Sequence, residues 1–190
     1  MRKLFCYSHN DFDAVMNELG ASRECPVHGI STISIVSEFD SDSSHFFSDT
    51  VNTNINLDFC DIDPQQWWKE HPTDMYDMLL DEYIRTRKDD MNPDANKFSH
   101  ISEDGNVYYA MNYEQADKLV RFIDEAVKRQ DHIYVHCSAG KSRSQGVVRF
   151  ILDSYSYGDV KWKTRIDNPC ITPNWHIVSM LSRVCYNRLF

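Results

Sequence analysis

The chain has 190 residues, 42% of them hydrophobic, and a net charge of −9. That length suits one core and a single domain over 1–190, and the acidic balance argues against broad, sequence-indifferent binding to nucleic acid. No apolar run approaches the ~20 residues of a membrane-spanning helix, and the one in MRKLFCYSHND is too short for a signal peptide. The expected setting is therefore cytoplasmic, with no membrane partner.

In chain order, KLFCY (Lys3 to Tyr7) predicts a first strand, and Asn10 or Asp11 a cap for a helix from Phe12 to Leu19 that stops at Gly20. TISIV (Thr32 to Val36) reads as a second buried strand. A serine- and aspartate-rich turn leads from it to a short helix around His45 to Ser48, and NINLDF (Asn54 to Phe59) alternates as a third strand. Strands interleaved with helices predict an α/β fold with a mostly parallel sheet. Pro72 to Lys88 has near-helical apolar spacing. FSHI and VYYAM flank a Glu-Asp-Gly-Asn turn and predict a hairpin. Tyr113 to Lys128, with Asn112 as N-cap and an apolar stripe at Ala116, Leu119, Val120, Ile123 and Val127, is the clearest helix. Further helices are expected over Gln145 to Tyr155, Asp159 to Ile166 and, behind PCITPN, Trp175 to Leu189.

The chemistry concentrates in IYVHCSAGKSRSQGVVR (Ile133 to Arg149). A buried strand runs into the small-residue loop Ser138-Ala139-Gly140-Lys141-Ser142, and a helix follows. Such a loop turns successive backbone N–H groups inward, where the helix N-terminus adds positive potential. Those amides suit a tetrahedral oxyanion such as phosphate. Arg143 can grip two of its oxygens in a planar fork, which lysine cannot. The same field favours the nucleophilic thiolate of Cys137.

The segment HCSAGKSRS resembles the His-Cys-x5-Arg-Ser/Thr signature of the cysteine-based protein tyrosine phosphatases, and its Ser-Arg-Ser ending is most similar to the dual-specificity branch. Phe122-Ile123-Asp124 and the Pro-Asn opening of the last helix add to the likeness. The resemblance covers Asn112 to Leu189 well and Lys3 to about Asp61 loosely, but not an insertion at about 64–111. It implies a central, mostly parallel sheet of four or five strands flanked by helices, here with an inserted helix and hairpin. Implied too are a Cys137 nucleophile, phosphate held by residues 138–143, a His136 that steadies the loop, and a Ser144 that assists the departing sulfur. Ser144 as a helix cap is the plainer alternative.

A phosphate ester needs a proton donor for its leaving oxygen, which the family places on a mobile loop after a strand. Asp61, in the acidic turn Cys60-Asp61-Ile62-Asp63-Pro64, follows the third strand. Ligand sites of open α/β sheets lie beyond the carboxyl ends of the strands, so Asp61 is the first choice, with Asp63 and Asp104 as competitors. Asp104 sits nearer the family's usual interval, but its Asp-Gly context is what any hairpin turn requires. Trp67 and Trp68 are candidates to wall a cleft, or equally to pack beneath a long loop.

The six cysteines (6, 25, 60, 137, 170 and 185) have no CxxC or zinc spacing, and a chain of this size needs no disulfide staples. His132 and His136 bracket a strand, which holds them about 13 Å apart, so no metal and no cofactor is expected. The implied activity is a phosphatase for phosphotyrosine, and for phosphoserine or phosphothreonine, proteins. The alternatives are a non-catalytic phosphate-binding module and a phosphatase for RNA 5′ ends or inositol phosphates.

Overall fold

Alternation decides how the strands sit. In the computed structural model, Leu4 and Cys6 of the first strand enter one core, and Phe5 and Tyr7 between them enter another. The structure describes residues 1–20, 27–37, 51–62, 99–101, 107–157, 160–166 and 173–188. Its elements are β1 (Arg2–Ser8), α1 (His9–Glu18), β2 (Val27–Val36), β3 (Val51–Asp58), β4 (Ser99–Ile101), β5 (Val107–Tyr109), α2 (Tyr113–Arg129), β6 (His132–Cys137), α3 (Arg143–Ser154), β7 (Trp162–Ile166) and α4 (Trp175–Asn187).

Five of the strands form one sheet in the order β3-β2-β6-β1-β7, with every pairing parallel. Parallel strands need both faces covered, and two unequal layers do this. On one face Leu4, Cys6, Ile33, Ile35, Ile133 and Val135 pack against α2, α3 and α4. On the other, Phe5, Tyr7, Tyr134 and Ile30 meet Phe12 and Met16 of α1, with Phe5 and Tyr134 edge to face at 5.4 Å. The architecture is consistent with the phosphatase-like α/β fold that the resemblance implies.

The register decides where the strands end. Ser8 and Ile35 both pair with Cys137, and Val36 pairs with Asp58. The carboxyl ends of β1, β2, β3 and β6 therefore share one edge. The loop after Cys137 and the turn after Asp58 both open there.

Three expectations need correction. Trp162 to Ile166 is a strand, not part of a helix. Val160, Trp162, Thr164 and Ile166 recur every second residue, and β1 offers them a free edge in register from Arg2↔Trp162 to Cys6↔Ile166. Helix α1 begins earlier than expected, at His9, because Ser8 is the N-cap and its hydroxyl accepts from Asp11 N at 3.2 Å. Helix α3 begins at Arg143, so Arg143 and Ser144 belong to its first turn.

Other expectations hold. Asn112 caps α2 in a full capping box with Gln115, and β4 and β5 pair antiparallel as a separate two-stranded sheet. Both strands lie within the inserted stretch. The expected helices around 45–48 and over 72–88, together with Trp67, Trp68, Asp63 and Asp104, lie outside the described residues.

Helices α3 and α4 approach through Gly146, where an added Cβ would lie 2.8 Å from the backbone oxygen of Asn174 and 3.2 Å from Ile177 Cβ. Gly146→Ala sets a helix-propensity gain of at most about 1 kcal/mol against an overpacking cost of about 1–3 kcal/mol. A backbone oxygen cannot rotate out of the way, so the cost wins. Urea unfolding of Gly146→Ala is expected to show a lower midpoint than the parent; an equal or higher midpoint would mean that the two helices separate freely.

Candidate active site

Residues 138–142 connect the end of β6 to the start of α3, and the carbonyls of Ser138, Gly140 and Ser142 are taken up by the surrounding protein. Ser138 O accepts from the backbone N–H of His9, the first residue of α1, at 3.1 Å. Gly140 O accepts from Gln145 Nε2 at 3.1 Å and from Cys6 Sγ at 3.6 Å. Ser142 O accepts from Gly146 N at 2.9 Å and Asn174 N at 3.3 Å. In a planar trans peptide the C=O and the following N–H point opposite ways. Fixing these three carbonyls outward therefore turns the N–H groups of Ala139, Lys141 and Arg143 away from the groups that hold the loop. That is how backbone forms an anion-binding nest.

Gly140 makes the turn possible on two counts. Its φ is +66°, a region that costs an L-residue about 1–2 kcal/mol. A Cβ there would also lie 2.5 Å from Ser8 N and 2.6 Å from the Tyr7 carbonyl carbon. The loop rests directly on the backbone at the end of β1.

Cys137 is buried (2% exposed) at the end of β6. Its Sγ lies 3.1 Å from Ser144 Oγ, a contact in which either atom can be the donor. Cys6 Sγ donates to the same hydroxyl at 3.2 Å, so Ser144 stands between two thiols. The hydroxyl of Ser144 therefore faces sulfur instead of capping the helix. The N-cap position belongs to Ser142, which makes no side-chain cap bond. Arg143 is buried in the first turn of α3 (5% exposed), and its NH1 donates to Phe59 O at 3.0 Å. This bond fixes the orientation of the guanidinium beside the turn after β3. His136 faces the other side of the sheet and stacks on Phe12 at 4.1 Å between ring centres, with His9 at 5.6 Å. It packs against α1 at the end of the strand that leads into the loop.

The turn after β3 is tied down at every residue. Asp58 O accepts from Gln115 Nε2 at 2.6 Å, Cys60 N donates to Tyr109 O at 2.7 Å, and Phe59 O receives Arg143. Asp61 Oδ1 accepts from Ser142 Oγ at 2.7 Å and from Asn174 Nδ2 at 3.0 Å, while Ile62 O accepts from Asn174 Nδ2 at 3.2 Å. The carboxylate is thus docked on the rim of the loop. Cys60 is the other thiol beside Arg143; burial pushes it above the usual thiol range, more than that guanidinium and its hydrogen bonds pull it down. It does not compete as an anion for the arginine.

Cys137, Arg143, Ser144 and Asp61 are therefore brought together around one loop, with Ser138, Ala139 and Lys141 exposed on it, Ser142 half-buried at its rim and Gly140 buried beneath it. Sequence reasoning did not identify Asn174, Gln145, Cys6 or the carbonyl of Phe59 as parts of this site. Asn174 left a trace in the Pro-Asn before the last helix. The others meet the loop only through tertiary contacts, for which a single chain carries no local signal. Among the described residues, cysteines 6, 60, 137 and 185 are free thiols, and no group of three or more His, Cys, Asp or Glu side chains could hold a metal ion.

Gly140→Ala should combine backbone strain with an unrelievable contact against β1, lowering stability by more than about 2 kcal/mol. The expected result is a lower urea midpoint together with lost binding of inorganic phosphate. A variant that matched the parent in both would contradict the packing of the loop on Ser8. No family model, curated protein or solved structure matches the chain, so the chemistry of this site is read from its own residues.

Proposed function

We propose that this chain is a phosphatase that hydrolyses phosphate monoesters through a cysteinyl-phosphate intermediate, acting on phosphotyrosine, and on phosphoserine or phosphothreonine, proteins. The observation that carries this reading is one juxtaposition. A buried thiol bonded to Ser144 lies at the foot of a loop with outward-held carbonyls, and the carboxylate of Asp61 is docked on the rim of that loop. A module that only bound phosphate would need the loop and the arginine. The carboxylate on the rim adds a group that can pass a proton, which catalysis uses and binding alone does not.

In the first step Cys137, as the thiolate, attacks phosphorus in line with the ester oxygen while Asp61 carries a proton. As the S–P bond forms and the P–O bond breaks, the loop amides and Arg143 stabilise the equatorial oxygens. Asp61 gives its proton to the leaving oxygen, so the alcohol or phenol departs neutral. In the second step water attacks the cysteinyl phosphate and Asp61 takes one of its protons. The S–P bond then breaks, inorganic phosphate leaves, and Ser144 donates to the departing thiolate. Each turnover consumes one water and returns every residue to its starting protonation state.

Turnover of an aryl phosphate should fall to background in Cys137→Ser, while orthovanadate binding persists because the amides and Arg143 remain. Arg143→Lys is expected to lower kcat/KM by about 10²-fold or more, since a point charge cannot reproduce the fork. Steady-state kinetics with vanadate titration measure both effects. Undiminished turnover in Cys137→Ser would rule out the covalent route, and parental kinetics in Arg143→Lys would remove the fork from it.

A further inference from the structure

We propose that Asn174 is a positioning residue for the acid: its side-chain amide, with the Ser142 hydroxyl, holds Oδ1 of Asp61 and thereby reserves Oδ2 for the proton that passes to the leaving oxygen. The inference rests on the phosphatase reading above and deepens it.

Asparagine at position 174 does more than a helix cap requires. Asn174 is the N-cap of α4, and its Oδ1 accepts from Ile177 N at 3.2 Å. For that task asparagine, aspartate and serine are nearly equivalent. Only asparagine also brings an NH2 group with two donors. Both donors face acceptors of the acid turn, Asp61 Oδ1 at 3.0 Å and Ile62 O at 3.2 Å. The assignment of the amide's two ends follows from its neighbours: an N–H of Ile177 requires the oxygen on one side, and a carboxylate and a carbonyl require the nitrogen on the other. Helix capping explains half of this side chain. The acid turn explains the rest.

Position supports the same conclusion. Asn174 is buried (4% exposed), while Asp61 is exposed on the rim. The backbone of Asn174 is bound to the loop as well, its N–H donating to Ser142 O at 3.3 Å. One residue thus links the phosphate loop through its main chain and the acid through its side chain, and their separation cannot drift independently. Gly146, by admitting α4 so close to α3, permits this contact. With Oδ1 occupied by two donors, Oδ2 is the atom of Asp61 left to carry a proton toward a substrate in the cradle. General acid catalysis requires such a fixed donor within hydrogen-bond reach of the leaving atom.

The experiment uses leaving-group dependence, which a purely structural role does not move. Phenyl phosphate needs a protonated leaving oxygen, whereas 2,4-dinitrophenyl phosphate scarcely does. Asn174→Asp and Asn174→Ser both preserve an N-cap and both remove the amide donors; Asp also sets a second carboxylate against Asp61. Each is expected to slow phenyl phosphate about five- to tenfold more than the dinitrophenyl ester, the scale of one lost hydrogen bond of ordinary strength. In an Asp61→Ala background the same substitutions should add nothing to this ratio, because the group they act through is gone. Thermal unfolding followed by circular dichroism checks the cap.

The outcomes separate. If the parent protein hydrolyses neither ester, the phosphatase reading fails. If it hydrolyses both but the Asn174 variants keep the parental ratio, or change it equally without Asp61, the positioning role is overturned and the phosphatase reading stands. Failure of both variants to fold would assign Asn174 to the architecture alone and overturn the proposal as well.

Discussion

The outward anchoring of three loop carbonyls is the constraint on which the site depends. Ser138, Gly140 and Ser142 each have their carbonyl bound to a different neighbour: the first amide of α1, the Gln145 and Cys6 side chains, and the first turn of α3 with the cap of α4. Peptide planarity converts those outer bonds into an inner row of amide hydrogens. The loop could not make this arrangement alone, because isolated small-residue segments sample many conformations at roughly 1–2 kcal/mol of backbone entropy per residue. The sheet edge and three helices hold it.

The same constraint explains the packing near the loop. Gly140 must lie flat against Ser8 and Tyr7, so β1 has to run parallel beside β6 and end level with Cys137, as the register has it. Ser8 then serves twice, closing β1 and capping the helix whose first N–H binds Ser138 O. On the opposite side Gly146 lets α4 approach until Asn174 reaches the loop. Small residues stand where backbone must touch backbone, and large aliphatic ones fill the layer behind. The acid turn is correspondingly restrained. Five consecutive residues, 58–62, are each bonded to another part of the molecule. Asp61 is held at the rim by Ser142 and Asn174. Such bonding trades freedom for a fixed distance between Asp61 and the loop.

How much of this was legible in the chain follows from the range of each interaction. Asn112 and Gln115 announce α2 because a capping box is local. The strand–loop–helix around Cys137 is local too, and its spacing of cysteine, glycine and arginine stands open in the sequence. Asp61 was reachable by topology, since a parallel sheet sends β3 and β6 to the same edge. Its hold on the loop was not, because Ser142 and Asn174 lie 81 and 113 residues away in sequence. The strand at Trp162–Ile166 was hidden by its short length and by its exposure, which leaves only Trp162 half-buried. Its period of two becomes decisive only once β1 is known to offer an open edge. Ser144 carried two plausible tasks, and the position of Ser142 at the helix cap leaves it to the sulfur.

The most direct test of the central claim is to trap the intermediate. Rapid acid quenching during turnover of an aryl phosphate, followed by peptide mass spectrometry, should find phosphate on the sulfur of Cys137 and nowhere else. Turnover that leaves Cys137 unmodified at every quench time, with phosphate on another side chain, would contradict the account.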